Sequence, residues 1–176
     1  MAIEKDLRLG TIQSGLRRSY KKLKVDASKQ ESDKDFSIKV FDVNASICEL
    51  LFWVNANDEW QCINNKVEYG IYRKKGQPGA NSMLGLKHAY NASKHEMSYV
   101  HLFTFEKKNS FMGSPKLLIA DPASEPVWVN CPDDPKRDGQ VKNYREFLKD
   151  RKVIQTFEEA ITLLNMMNQK VQFKEK

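Results

Sequence analysis

From about Asp33 to Gln61 the apolar residues Phe36, Val40, Val43, Ile47, Leu50 or Leu51, and Val54 recur at alternating spacings of four and three. That period belongs to one face of an α-helix and not to a strand. Phe41, Cys48 and Phe52 carry the apolar surface round to a second side. A helix apolar over so wide an arc needs neighbours on more than one side, so this one is predicted as the central rod of a bundle. Its C-terminal part, LLFWVNANDEW, mixes Asn55, Asn57, Asp58 and Glu59 into the apolar run. One end of the rod is therefore polar.

Other helices follow by the same criterion. Ile12, Leu16, Tyr20 and Leu23 make one stripe over about 11–29, with Arg17, Arg18, Lys21, Lys22 and Lys24 off it as a basic outer face. After the loop 74–82, a helix capped by Asn81 or Ser82 runs to about His95 on Met83, Leu86, Tyr90 and Ser93. Thr156 and Glu159 fit a capping box for a last helix to about Lys170, striped by Phe157, Ala160, Ile161, Leu164 and Met167. Between these the period changes to two. Tyr99, His101, Phe103 and Phe105 alternate with Val100, Leu102 and Thr104, and KLLIA (116–120) and PVWVN (126–130) read as two further short strands. CPDDPKRDG at 131–139 reads as a polar loop. The fold class is thus mainly α (α+β): a four- to five-helix bundle with a small inserted antiparallel sheet of three strands. Residues 1–176 form a single domain, with helical core about 11–95 and 143–170 and the β insertion about 98–130.

Charge and cysteine content narrow the function classes. Residues 1–30 hold eight Lys/Arg against three Asp/Glu, residues 31–65 two against seven, and residues 66–116 nine against three. Basic stretches suit RNA or another anionic partner, and alternating blocks suit opposite patches on two copies of one chain. The bland reading is a set of solvated helix faces. Cys48, Cys62 and Cys131 are odd in number and widely spaced, outlining neither a disulfide framework nor a zinc site. No apolar run reaches membrane-spanning length, and the opening MAIEKDLRLG is charged where a signal peptide is apolar. The expectation is a cytoplasmic protein with no membrane partner.

Candidate chemistry gathers on the helix over 81–95. His88, Asn91 and His95 are spaced three and four apart and share one face, flanked by Lys87 and Lys94. Asn55, Asp58 and Glu59 are candidate opposing groups if this helix runs antiparallel to the rod. A metal site needs three or four converging ligands, and His88 and His95 lie two turns apart, so no metal and no cofactor is expected. Two readings remain: structural hydrogen bonding and helix-end capping by the histidines, or a functional polar site that uses His95. Trp53 and Trp60, seven apart on one helix face, read as core or interface packing rather than a base-stacking platform. The aromatic strand residues Phe103 and Phe105 read as cover for the bundle. No Gly-x-Ser-x-Gly elbow or phosphate-cradling loop occurs.

The segment MLGLKHAYNASKHE, residues 83–96, resembles the signature helix of the HEPN superfamily. These are small helical domains of toxin–antitoxin and abortive-infection systems, many of them metal-independent ribonucleases. Their motif places an Arg, often followed by Asn, four to six residues before a His. Asn91 and His95 match the Asn and His; the Arg position is occupied by Tyr90. The resemblance implies His95 as acid/base residue and Asn91 as the group orienting it or the phosphate. Lys87, Lys94, Tyr90 and His88 would bind the RNA substrate. It also implies a homodimer through the helices at 33–61 and 81–95. Tyrosine donates a hydrogen bond but supplies no charged bidentate clamp. The alternative is a scaffold without catalysis that binds a protein partner or nucleic acid.

Overall fold

The computed structural model describes residues 2–29, 36–77, 79–95, 103–105, 107–109, 118–120, 124–131 and 133–174. Six α-helices carry the described fold: α1 (Ala2–Ser28), α2 (Phe36–Asn64), α3 (Lys66–Tyr72), α4 (Ala80–His95), α5 (Asp138–Phe147) and α6 (Val153–Lys174). Short strands β1 (Phe103–Phe105), β2 (Lys107–Asn109), β3 (Leu118–Ala120) and β4 (Pro126–Trp128) lie between α4 and α5. The protein is mainly helical with a small antiparallel β element, as the patterning predicts.

The stripe on α2 is buried as expected, with Val43, Ile47, Leu50, Leu51 and Val54 at 0–1% exposure. The second apolar side is not. Ile38, Phe41, Phe52 and Ile63 are 57%, 72%, 48% and 74% exposed, so α2 is not the enclosed rod. That place belongs to α4, which packs on α2, α5 and α6 and has no exposed residue from Ala80 to Ser93. Its small residues Ala80, Gly85, Ala89 and Ala92 are buried and let neighbours approach on several sides. An apolar arc measures how much a helix has to cover, and α1, α3, α4 and α6 pack on α2 while leaving its outer side open.

α1 begins nine residues before the predicted start, because Leu9 and Ile12 join Trp60 in a small cluster at the far end of α2. Farther along, Gly15 is a required close approach: a Cβ there would overlap the indole of Trp53. At the other end the buried Asp26 accepts hydrogen bonds from Ser46 Oγ at 2.5 Å and Lys22 Nζ at 2.9 Å, and pairs with Lys29 Nζ at 2.9 Å. Burial alone would raise this carboxyl, but the three donors carry it down to about 2. α1 is fastened along most of its length to α2.

The strands form two two-stranded antiparallel ladders rather than one three-stranded sheet. Phe103 lies opposite Trp128 and Phe105 opposite Pro126, while Lys107 pairs with Ala120 and Asn109 with Leu118. The second and third predicted strands therefore do not pair with each other; each takes one part of the segment 103–109. Phe103 and Phe105 are buried edge to face at 5.9 Å and cover the bundle. Tyr99 and His101 lie outside the described residues.

Two helices were not read as elements of their own, although α3 and the second half of α5 fall within the predicted helical core of about 11–95 and 143–170. α3 follows α2 after Asn65, and α5 starts inside the segment predicted as a polar loop, behind a 3₁₀ turn (Pro135–Arg137) capped by Asp134 Oδ1 on Lys136 N–H at 3.0 Å. The predicted capping box of α6 is absent. The helix opens at Val153, and Thr156 is buried within it, donating to Val153 O and accepting from Trp128 Nε1, both at 2.8 Å. Nor do Asn81 and Ser82 cap α4. Asn81 Oδ1 accepts from Gly76 N–H at 2.9 Å, and Ser82 Oγ donates to Glu159 at 2.5 Å.

Candidate functional site

α5 lies along the very face of α4 that carries His88 and Asn91. Gly85 opens the seam: a Cβ there would sit 2.6 Å from Leu148 Cγ. One turn on, the His88 ring meets Tyr144 edge to face at 5.6 Å, and Asn91 Nδ2 donates to Gln140 Oε1 at 2.8 Å. The partner numbers fall as the α4 numbers rise, so the two helices are antiparallel. His88 is 3% exposed and Asn91 half-buried. Tyr144 is itself anchored, donating from Oη to Val129 O at 2.8 Å and packing against Trp128. Burial pushes its phenol well above the ordinary range.

The other predicted site residues part company. Tyr90, at the position of the family's Arg, is half-buried and packs against the core. Lys94 is exposed and Lys87 partly so. The backbone of His95 ends α4, and its side chain lies outside the described residues. The structure thus brings His88 and Asn91 to α5 rather than to an open cleft.

The polar end of α2 does not oppose this face either. Asp58, 1% exposed, is held by Arg73 through Nε–Oδ1 at 2.6 Å and Nη2–Oδ2 at 3.0 Å, and it accepts Tyr69 Oη at 2.7 Å. This buried bidentate pair ties α3 to α2. Burial, and then the Asp58 carboxylate, pushes the Tyr69 phenol far up. Asn55 donates to Leu51 O on its own helix at 2.9 Å, and Glu59 is exposed. Arg73 and Tyr69 were not read as partners of Asp58, since no separate helix was predicted beyond about Gln61 to bring positions 15 and 11 residues further on back beside it.

Desolvation pushes the thiols of Cys48, Cys62 and Cys131 up, away from the thiolate form that attacks or ligates. Among the described residues no group of three or more His, Cys, Asp and Glu is placed to hold a metal ion. No described helix is long and apolar enough to cross a membrane.

What lies open is the outer side of α2. Ile38, Phe41 and Phe52 recur at spacings that keep them on one helical face, and Phe52 lines a shallow groove with Leu7 of α1, itself 70% exposed. Ile63 continues the line toward Val67 and Ile71 of α3, 83% and 54% exposed. Large apolar side chains in such a row mark a contact surface more readily than scattered ones do. No protein-family model, curated protein or solved structure matches the chain.

Proposed function

We propose that this protein is a HEPN-like helical scaffold that works by binding a partner rather than by cleaving RNA. The observation that carries this reading is the α4–α5 seam. The two histidine-face residues with described side chains, His88 and Asn91, are engaged by Tyr144 and Gln140 instead of lining a groove. Tyr90 supports it, because a half-buried phenol in place of a guanidinium leaves no bidentate clamp for a phosphate. The contact surface in this reading is the apolar outer side of α2, and the partner is a second copy of the chain, for which a self-complementary apolar stripe suffices. α4 is enclosed and takes no part in that dimer, so the interface narrows from the helices at 33–61 and 81–95 to the first of them.

Two measurements on the full chain test it together. RNA incubated with the wild-type protein and with His95→Ala is expected to stay intact in both. Cleavage that disappears in His95→Ala would restore the ribonuclease reading, with His95 as acid/base residue. Light scattering is expected to give a dimer mass that falls to the monomer in Phe41→Glu, a change at a 72% exposed position. A wild-type monomer removes the self-association.

A second reading, sequence-independent nucleic-acid binding, draws on one observation: Arg17, Arg18, Lys21 and Lys24 are all exposed on α1. The basic residues 73–75 after α3 add little to it. Arg73 is committed to Asp58, and Lys75 pairs with Glu146 at 2.8 Å.

A further inference from the structure

Beneath α1 and α6 the core of the bundle turns polar. Asn57 and Gln61 sit one turn apart on α2, both at 0% exposure, and Gln61 Nε2 donates to Asn168 Oδ1 on α6 at 2.6 Å. Asn168 is 3% exposed. Its Nδ2, and both polar atoms of the Asn57 amide, meet no hydrogen-bond partner among the described residues. A buried amide atom left unmet costs about 1–3 kcal/mol.

Asn168 also lines a cleft of about 430 Å³ between α1 and α6. That size falls within the ~300–1,000 Å³ typical of small-molecule sites. Gln13, Asn165 and Gln169 add three more carboxamides to its wall, Leu16 and Ile161 supply apolar surface, and no lining residue is acidic. Arg17 stands exposed at the rim, and no carboxylate among the described residues pairs with it. Tyr20 closes one end, its hydroxyl donated to Glu158.

We propose that this cleft binds a nucleoside monophosphate. Gln13, Asn165 and Gln169 each present a donor and an acceptor in one plane, the complement of a nucleobase edge, and asparagine and glutamine read adenine in this bidentate way, while the Asn168 oxygen is already held by Gln61. The aliphatic side chains of Leu16 and Ile161 suit the faces of a base. The guanidinium of Arg17 suits the phosphate, whose charge nothing else in the lining would answer. A bare phosphate could take the amide N–H donors beside Arg17 but would leave their carbonyl oxygens without a donor. The site is independent of the α2 surface and of any chemistry at His95. The same group could arrive free or as the 5′-phosphorylated end of an RNA strand.

Calorimetric titration of the full chain with the four ribonucleoside monophosphates, the matching nucleosides and inorganic phosphate tests the assignment. At least one monophosphate is expected to bind, and better than its nucleoside or phosphate. Arg17→Gln, at an exposed position, is expected to weaken the monophosphate about tenfold or more, the loss of one charge-assisted contact, while leaving the nucleoside unchanged. Asn165→Ala, also exposed, is expected to weaken both. A 5′-phosphorylated trinucleotide that competes with the monophosphate and responds to the same variants identifies the strand end as the source. No monophosphate binding at millimolar concentration, phosphate binding as well as nucleotide, or binding that neither variant weakens would each overturn the proposal. Where the monophosphate binds and responds to both variants, strand binding untouched by Asn165→Ala belongs to the basic outer face of α1 and identifies the free nucleotide as the ligand of the cleft.

Discussion

The seam between α4 and α5 and the seam between α1 and α6 both have polar side chains at their centre, yet the first is shut and the second holds a cleft of about 430 Å³. At the first, Gly85 admits Leu148, and His88 and Asn91 find Tyr144 and Gln140 across the gap. At the second, α1 carries Gln13 and Arg17 and α6 carries Asn165 and Gln169 where the first seam has a glycine. Long side chains keep two helices apart where a glycine brings them together. α1 is also held elsewhere, by Gly15 against Trp53 and by Asp26 with Ser46, so it need not close on α6. A polar helix face therefore says little about a site until the residue that sets the helix separation is known.

Breaking the shut seam at its centre should have the largest effect. Tyr144 is 0% exposed and touches His88, Trp128 and the carbonyl of Val129. Tyr144→Ala is expected to cost about 3–5 kcal/mol in urea unfolding, the range for deleting a large buried aromatic. Tyr144→Phe should cost only about 1 kcal/mol, the net worth of one hydrogen bond. A loss below about 1 kcal/mol for the alanine variant would mean that α5 is loosely docked and the α4 face accessible, which would reopen the enzyme reading.

The comparison also marks where the sequence was legible. The stripe of α2 and that of α6 were readable because five or more apolar residues repeat one period, and Val43, Ile47, Leu50, Phe157, Ala160 and Leu164 are all buried. α5 was not, since its buried residues Val141, Tyr144 and Phe147 are three in a polar stretch opening with Asp and Gly. Missing α5 had a consequence at the site: without it, His88 and Asn91 look like polar groups awaiting a substrate. The exposure of Phe41 was unreadable for a related reason, as periodicity gives the apolar arc of a helix but not which part of it the neighbouring helices cover. The cleft lay hidden among Gln13, Asn165 and Gln169, which a helical wheel assigns to ordinary surface.

The hold of α1 on α2, which leaves the second seam open, has a pH signature of intermediate size. Asp26 has a folded value of about 2 against 3.8 unfolded. A depressed carboxyl stabilises the fold above its unfolded value and loses that contribution as pH falls through the folded one. Unfolding free energy should therefore drop by about 2 kcal/mol between roughly pH 5 and pH 2 on this account. Asp26→Asn should flatten that part of the curve. An unchanged acid limb in the variant would place the pH dependence in other carboxylates and weaken the case that Asp26 anchors α1.

The smallest effect separates the two seams most directly. Asn91 and Gln140 share one hydrogen bond across α4 and α5 at 2.8 Å in a half-buried setting. A double-mutant cycle, Asn91→Ala with Gln140→Ala, is expected to return a coupling of about 0.5–1 kcal/mol. The same cycle on Gln13 and Asn165, which line opposite walls of the cleft, should return a coupling near zero because no hydrogen bond joins them. Equal couplings would mean that the α1–α6 walls meet in solution and the cleft closes. Unequal ones in the expected order would leave Asn91 a packing residue and the amides of α1 and α6 available to a ligand. That order matters for the binding proposal, since an amide already paired across a seam has less to offer an incoming base than one facing open space.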